Sequence, residues 1–245
     1  MRRLHVTAAL ILLLIILLAG LAHADAEVEL RVAVDGDVHV ALSIKNLNST
    51  LYRQLKEDRA FNSSTFPLAV LTHLKEKNLT RVIIYDFKLE FEDSTRSVYA
   101  AFRIAGPDVM SVTYNSTTMR KVYELKTEWM RITLNLTQGL RLNLAELLKA
   151  PVEQWEKTQY TDPEGATHTM FRYSHPKPSP FRFSCRLILP AGATHVRAVK
   201  DVITFEGSPS IEDAILGSPL VVLFALIILN ILVLAYRWVK VRGWG

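Results

Sequence analysis

The stretch VELRVAVDGDVHVALSI, residues 28–44, decides the fold prediction. On both sides of its Asp35-Gly36 dipeptide, apolar and polar residues alternate one by one. A period of two places the apolar side chains on one face of a strand, and Asp-Gly is a frequent hairpin turn. The stretch therefore predicts a β-hairpin with one buried face, whose first strand buries Val28, Leu30, Val32 and Val34.

Further alternating runs follow at 82–91, 97–104, 109–114, 119–125, 130–136, 181–189 and 196–205. In the first of them, one face is expected to hold Ile83, Tyr85, Phe87, Leu89 and Phe91. Apolar spacings of three and four residues predict short helices at 49–59 and 65–78, the second with Leu68, Leu71 and Leu74 on its apolar face, and a third at 142–149. We therefore predict a mainly β or α+β domain, most simply a two-sheet β-sandwich with two or three short helices inserted.

A second decisive stretch, residues 215–236, contains no charged residue and one strongly polar side chain, Asn230. At about 1.5 Å per helical residue, this length can cross a hydrocarbon core of about 30 Å. Acidic residues precede the stretch, and the basic residues Arg237, Lys240 and Arg242 follow it. Because Lys and Arg collect on the cytoplasmic side, we predict a C-terminal transmembrane helix with the preceding domain outside the cell.

The chain begins with the three parts of a secretory signal: Arg2-Arg3, an apolar run at 6–21, and Ala22-His23-Ala24. Cleavage after Ala24 would expose Asp25, and an uncleaved signal anchor is the alternative. The predicted plan is a leader at 1–24, an extracytoplasmic β-rich domain at 25–212 with a possible subdivision near 150, a span at 215–236 and a basic cytoplasmic tail at 237–245.

The net charge of +5 follows from this topology. Five of the 29 basic residues lie in the leader and the tail, so the remaining 24 balance the 24 acidic residues between Asp25 and Asp213. The basic composition therefore gives no argument for a nucleic-acid partner. The single cysteine, Cys185, excludes an intrachain disulfide; we predict a buried core thiol, with an interchain disulfide or a reactive thiol as the alternative.

Asn-x-Ser/Thr sequons occur at five of the eight asparagines. They are Asn48, Asn62, Asn78, Asn115 and Asn135. In an exported protein these are acceptors for N-linked glycans, and all five precede the predicted span on its exterior side. Polar loops rich in Asn, Ser and Thr are the alternative interpretation. Several sequons without a disulfide favour an archaeal cell surface, with a eukaryotic secretory protein as the alternative.

The later part of the domain, from residue 143 to the span, has no sequon. It contains the aromatic residues Trp155, Tyr160, Phe171, Tyr173 and Phe181. Because glycans are bulky and hydrophilic, we expect this bare, membrane-proximal segment to dock a membrane or envelope protein. Inside the span, Asn230 is the candidate for a hydrogen bond to a partner helix, and a bond within its own helix is the alternative.

Catalytic patterns such as Gly-x-Ser-x-Gly, His-Glu-x-x-His and a phosphate-binding Gly-rich loop do not occur in the sequence. The spacing of His168, His175 and His195 does not fit a zinc site, so we predict no metal and no cofactor. We expect a non-enzymatic, single-pass plasma-membrane glycoprotein that acts as a structural or accessory subunit, with the lipid bilayer and a protein as partners. A membrane-tethered ligand- or carbohydrate-binding module and a membrane-anchored hydrolase with unpatterned carboxylates are the alternatives.

Overall fold

A computed structural model describes residues 24–57, 62, 64–115, 120–137, 140–176, 181–207 and 219–242. The predicted leader up to residue 23 lies outside these ranges, as do residues 215–218 of the predicted span and residues 243–245 of the predicted tail. Ala24, the last residue of the predicted leader, pairs with Phe181.

The elements follow one another along the chain with short connections. In order they are β1 (Ala24–Val32), β2 (Val38–Lys45), α1 (Ser49–Glu57), α2 (Thr65–Glu76), β3 (Ile83–Glu92), β4 (Ser97–Ala105), β5 (Met110–Asn115), β6 (Arg120–Lys126), β7 (Thr133–Thr137), β8 (Leu140–Asn143), α3 (Leu144–Leu147), β9 (Glu156–Thr161), β10 (Thr167–Ser174), β11 (Phe181–Ile188), β12 (Thr194–Val199), β13 (Val202–Glu206) and α4 (Pro219–Arg242). Two 3-10 turns, Glu128–Met130 and Val152–Gln154, complete the set.

A seven-stranded sheet, the large sheet, has the strand order β3-β4-β2-β1-β11-β10-β9. A four-stranded sheet, the small sheet, has the order β12-β13-β6-β5, and β7 pairs with β8. The protein is thus mainly β, with two principal sheets and a few short helices, consistent with a sandwich-like fold. The large sheet joins strands from both sides of residue 150 through the parallel pair β1 and β11.

The predicted first hairpin is confirmed, except for its turn. Val32 pairs with Val38, so residues 33–37 form the loop, and the Ala33 N–H donates to the Asp37 carbonyl at 2.8 Å. Val34 therefore leaves the ladder, and its predicted burial is wrong because it is 70% exposed.

The two helices predicted after this hairpin are present as α1 and α2. Asn48 caps α1, with its Oδ1 accepting from the Leu51 N–H at 2.8 Å. α2 buries Phe66, Val70 and Leu74. The sequence predicts Leu68 on the apolar face, but it is 63% exposed, so this part of the prediction is wrong. The helix is rotated so that Phe66 faces the sheet instead.

A bulge in β3 changes the face that its side chains occupy. The register shifts between Tyr85 and Lys88, and Asp86 has a φ of 54°. An extra residue in one strand reverses the alternation beyond it, so the single predicted face of this strand is wrong. Phe87 and Leu89 pack against the core, whereas Ile83 is 62% exposed.

One hydrophobic core runs under the large sheet and into the small sheet. Phe66 of α2 stacks on Phe87 of β3 with ring centroids 5.3 Å apart. In the small sheet, the ring of Tyr123 stacks on Phe205 at 4.9 Å, and its hydroxyl donates to the Val34 carbonyl at 2.8 Å. The return strand predicted at 196–205 is wrong in one respect: it is a hairpin of β12 and β13, because the chain turns between Val199 and Val202.

Helix α4 contains most of the predicted membrane span. Its described side chains, at 223–224, 226–234 and 236–237, are exposed. Across the residues that the structure describes, no helix has both the length and the apolar character that crossing a membrane requires. The span at 215–236 therefore stays a prediction from the sequence.

Candidate functional site

The large sheet has one covered face and one open face, and we call the open one the outer face. Side chains alternate between the two faces along every strand. One row of directly paired residues crosses all seven strands of the outer face. It consists of Lys88, Ala101, Ala41, Glu29, Arg186, Arg172 and Glu156. This row therefore combines charged side chains with very small ones.

Two adjoining depressions lie over β3, β4, β2 and β1 on this face. Their volumes are about 660 and 560 Å³, and both are lined by Glu90 and Tyr99. We call the two depressions together the trough. Ala101 and Ala41 stand opposite each other on its floor, and Tyr99 and Ser43 form the next opposed pair. Three strand spacings of about 4.8 Å separate β3 from β1, which gives the trough a width of about 14 Å.

The charged wall of the trough on β1 is paired within itself. The Glu29 carboxylate accepts from Arg31 Nε at 2.7 Å and lies 3.0 Å from Arg186 Nη2. Lys45 Nζ donates to Glu27 at 2.9 Å. Exposed pairs of this kind add little stability, but they neutralise the wall locally.

The wall on β3 and the middle of the trough differ from the wall on β1 in the contacts that their side chains make. The side chains of Lys88, Glu90, Tyr99 and His39 make no hydrogen bond or ion pair with any residue that the structure describes. Tyr99 is 40% exposed although it lies on one of the central strands. Donors, an acceptor and an aromatic ring are therefore all presented to solvent here.

Arg103 closes one end of the trough. Its Nη2 donates to Asp37 at 2.7 Å and to Asp35 at 3.0 Å, and its guanidinium carbon lies 5.1 Å from the centre of the Tyr85 ring. The Tyr85 hydroxyl donates to Asp37, and this hydrogen bond, together with burial, raises the pKa of Tyr85. The bulge at Asp86 brings a third carboxylate to 3.9 Å from Arg103. The contacts among these side chains therefore fix the conformation of this end of the trough.

His168 fastens the turn between β9 and β10. Its Nδ1 lies 2.9 Å from the Leu189 carbonyl and its Nε2 lies 3.1 Å from the Asp162 carboxylate. Both partners are hydrogen-bond acceptors, so the two contacts fix the orientation of the ring. The hydrogen bond from His168, with those from the Ala166 and Glu164 N–H groups, lowers the pKa of Asp162.

The described residues hold no group of three His, Cys, Asp or Glu side chains able to bind a metal ion. Cys185 has no exposed surface, and burial raises the pKa of its thiol. The prediction of a core thiol is confirmed, and the reactive-thiol alternative is wrong because the sulfur is inaccessible and favours its neutral form.

None of the five sequon asparagines is part of a strand of the large sheet. Asn48 and Asn62 precede α1 and α2, and the Asn62 side chain accepts from the Ser64 and Thr65 N–H groups at 2.8 and 3.0 Å. Asn78 follows α2 with a φ of 62°, a conformation that asparagine tolerates. Asn135 lies in β7, which contacts α1, α2 and α3, and Asn115 ends β5 of the small sheet.

The aromatic residues of the membrane-proximal segment are largely unsuited to docking. Trp155 and Phe171 are buried, and Trp155 stacks on Tyr173 with centroids 5.6 Å apart. The Trp155 Nε1 donates to the Ala150 carbonyl at 3.1 Å. The period-two spacing of Phe171 and Tyr173 on β10 directs both rings toward the covered face. A contact of this segment with a neighbouring protein stays a prediction. The side chain of Phe181 lies outside the description.

The predicted membrane residues all fall within α4. Asn230 Nδ2 donates to the Leu226 carbonyl at 3.0 Å, the bond within its own helix that was the alternative. This bond uses one of the two amide hydrogens, and a partner contact stays a prediction. Arg237 is exposed, and the side chains of Lys240 and Arg242 lie outside the description.

The sequence signals could not reveal the trough, because it depends on which residues are opposed across β4 and β2. Comparison of the chain with protein-family models, with curated proteins and with solved structures finds no significant match. Function must therefore be argued from the outer face and the sequence features themselves.

Proposed function

We propose that the protein is a membrane-anchored, N-glycosylated cell-surface subunit, non-enzymatic, that works by binding another envelope or membrane protein through the outer face. The observation that carries the proposal is the separation of the sequons from the large sheet. None of the five sequon asparagines belongs to any of its seven strands. Glycans at the five positions would leave that face bare, because a bulky hydrophilic group excludes a partner only near its attachment point.

The anchor is supported by the sequence. The uncharged run at 215–236 and the basic residues Arg237, Lys240 and Arg242 are typical of a span with a cytoplasmic C-terminus. In this arrangement the leader exports the domain, and the sequons lie on the exterior.

The composition of the outer face suits a reversible or wet contact. Arg and Tyr are frequent in interfaces, and Arg172, Arg186 and Tyr99 lie on this face. Its charges of both signs would orient a complementary partner and raise the association rate more than the affinity.

The experiment attaches a glycan to the proposed contact surface. Arg172→Asn creates the sequon Asn-Tyr-Ser at 172–174 on the outer face, and Ser111→Asn creates Asn-Val-Thr at 111–113 on the small sheet as the matched control. Each variant, expressed in its native cells, should gain the mass of one glycan. Partners are then recovered by mild detergent extraction and quantified against the wild type.

We expect Arg172→Asn to abolish recovery of a stoichiometric partner and Ser111→Asn to leave it unchanged. Equal recovery with both glycosylated variants would reject the outer face as the contact surface. A wild-type protein that is extracted as a monomer without any partner would reject the subunit function itself.

A second candidate function, a membrane-tethered carbohydrate- or ligand-binding module, is favoured by one observation. The trough presents an exposed tyrosine and polar side chains that have no partner among the described residues, above a floor of small residues. Ligand sites are concave and carry a few convergent polar groups, and the trough has this character in an open form.

A further inference from the structure

We propose that the trough binds a neutral oligosaccharide strand laid along β4, with one sugar ring against Tyr99. This inference deepens the second candidate function and rests on it. The ligand class follows from the shape of the trough, its charge balance and the side chains that have no partner of their own.

The shape suits an extended ligand. The trough runs from Arg103 at one end to Ser97 at the other, six residues along β4, or about 20 Å at 3.4 Å per residue. Its width of about 14 Å and its open top admit a linear chain without any movement of the protein. The small side chains of Ala101, Ala41 and Ser43 let such a chain approach the sheet closely.

The charge balance argues for a neutral ligand. Glu29 is paired with Arg31 and Arg186, Glu27 with Lys45, and Arg103 with Asp35 and Asp37. Lys88 and Glu90 are the charged side chains of the trough that make no hydrogen bond or ion pair with another described residue; they have opposite signs and lie two residues apart on β3. A strongly anionic or cationic chain would meet a like charge on this wall, and like-charge contact disfavours binding.

The unpaired side chains match the hydroxyl groups of a sugar. Each hydroxyl can donate and accept, so Lys88 can donate to one hydroxyl and Glu90 can accept from another. The Tyr99 ring, exposed between the two depressions, offers a flat apolar surface with a polar hydroxyl at its edge. His39 lies on β2 at the Arg103 end and adds a further hydrogen-bonding group.

A protein segment fits the trough less well. Its floor offers two alanine methyl groups and one aromatic ring, whereas tight protein contacts are centred on several large apolar or aromatic anchors. β4, β2 and β1 each pair with a strand on both sides, so an extended peptide laid over them would find no backbone partners.

The test measures binding of hexasaccharides to the full-length chain purified in mild detergent. The neutral probes are maltohexaose, cellohexaose and mannohexaose, and a hyaluronan hexasaccharide is the acidic probe. We expect at least one neutral probe to bind with a Kd of about 1 mM or lower, and more tightly than the acidic probe.

Tyr99→Ala should weaken that binding about tenfold, as expected for loss of one aromatic contact. Tyr114→Ala is the matched control, because Tyr114 is 45% exposed, similar to Tyr99, but lies on the small sheet. Ala101→Phe should abolish binding by filling the floor. An unchanged midpoint of thermal unfolding shows that a variant is folded. If the midpoint changes, the binding site is located in the wild type instead, from the NMR shift changes of the β4 amides on addition of the probe.

Three results would each overturn the inference. They are absence of binding by all three neutral probes, tighter binding of the acidic probe, and equal affinity of Tyr99→Ala and the wild type. A separate experiment identifies the source of the oligosaccharide. If the oligosaccharide is carried by another copy of this chain, the glycosylated wild type should self-associate in detergent and a variant with Asp at all five sequon positions should not. If it is a free envelope polysaccharide, the two proteins should have the same oligomeric state. These outcomes are distinct from the subunit test, because the glycan added by Arg172→Asn lies outside the trough.

Discussion

The two faces of the large sheet are made by the same strands, yet they differ in almost every physical respect. Along β1, Val28 and Leu30 are buried in the core, while their neighbours Glu29 and Arg31 form ion pairs on the outer face. The covered face is closed by helices whose ends carry sequons, and the outer face has none. The comparison teaches that one alternating sequence pattern can separate folding from recognition, because each face can change without repacking the other.

The largest expected difference between the faces is in stability. Leu30→Ala should lower the free energy of unfolding by about 2–5 kcal/mol, because Leu30 is 1% exposed and its removal leaves a cavity. Arg31→Ala, one residue away on the outer face, should cost about 1 kcal/mol or less. Urea denaturation of the two variants measures both values. Similar costs would contradict the separation of the faces.

Asn48 sharpens the comparison because it combines a cap and a sequon on the covered side. Asn48→Ala should cost about 1 kcal/mol by removing the cap of α1. Asn48→Asp retains a capping oxygen and should leave stability nearly unchanged. Both variants should lose one glycan in an intact-mass measurement. Equal destabilisation of the two would assign the effect to the glycan instead of the cap.

A small apolar cavity provides a test of opposite sign on the covered face. Its volume is about 40 Å³, and Val28, Val40 and Phe66 are among the residues that line it. Val28→Ile should stabilise the protein by about 0.8 kcal/mol, the value of one buried methylene group. The urea midpoint measures the gain, and Ala41→Val on the outer face is the control that should give none. Destabilisation by Val28→Ile would show that the cavity cannot accept the added group.

The smallest effect is expected at the turn that His168 fastens. The pKa of Asp162 is lowered mainly by the hydrogen bond from His168, so the folded state favours the ionised carboxylate. Its contribution is present above the ordinary Asp pKa of about 3.9 and is lost as the pH falls through the lower folded pKa. Asp162→Asn should therefore reduce the urea midpoint at about pH 5, and the difference should shrink toward about pH 2. A difference that grows on acidification would contradict this sign.

The sequence predicted the local parts of this fold. The alternation at 28–44 predicted the first hairpin, and the apolar spacings at 49–59 and 65–78 predicted α1 and α2. The sequence did not predict the bulge at Asp86, because apolar and polar residues alternate through that position without interruption. The pairing of β1 with β11 joins residues about 157 apart, from Ala24 to Phe181, and no local signal carries such a contact.

The candidate site could not be predicted from the sequence either, because it also depends on which strands pair and in which register. Ala41 and Ala101 are unremarkable in the sequence, and they form a floor only because the register of β2 and β4 places them opposite each other. The aromatic residues Trp155 and Phe171 suggested a contact surface in the sequence, but both rings are buried in the structure. Tyr99 gave no signal, since its exposure depends on the face that β4 presents.

Covalent labelling of carboxylates tests the outer face as a contact surface most directly. The label is applied to intact native envelopes and to the detergent-purified protein, and modification is read out by mass spectrometry. Labelling of Glu90 and Glu156 on the outer face should fall several-fold in the envelopes, while Glu57 and Glu76 on the helices, which are also exposed, should be labelled equally in both. Equal labelling of the outer face in the two preparations, or protection of the helices instead, would contradict the proposal.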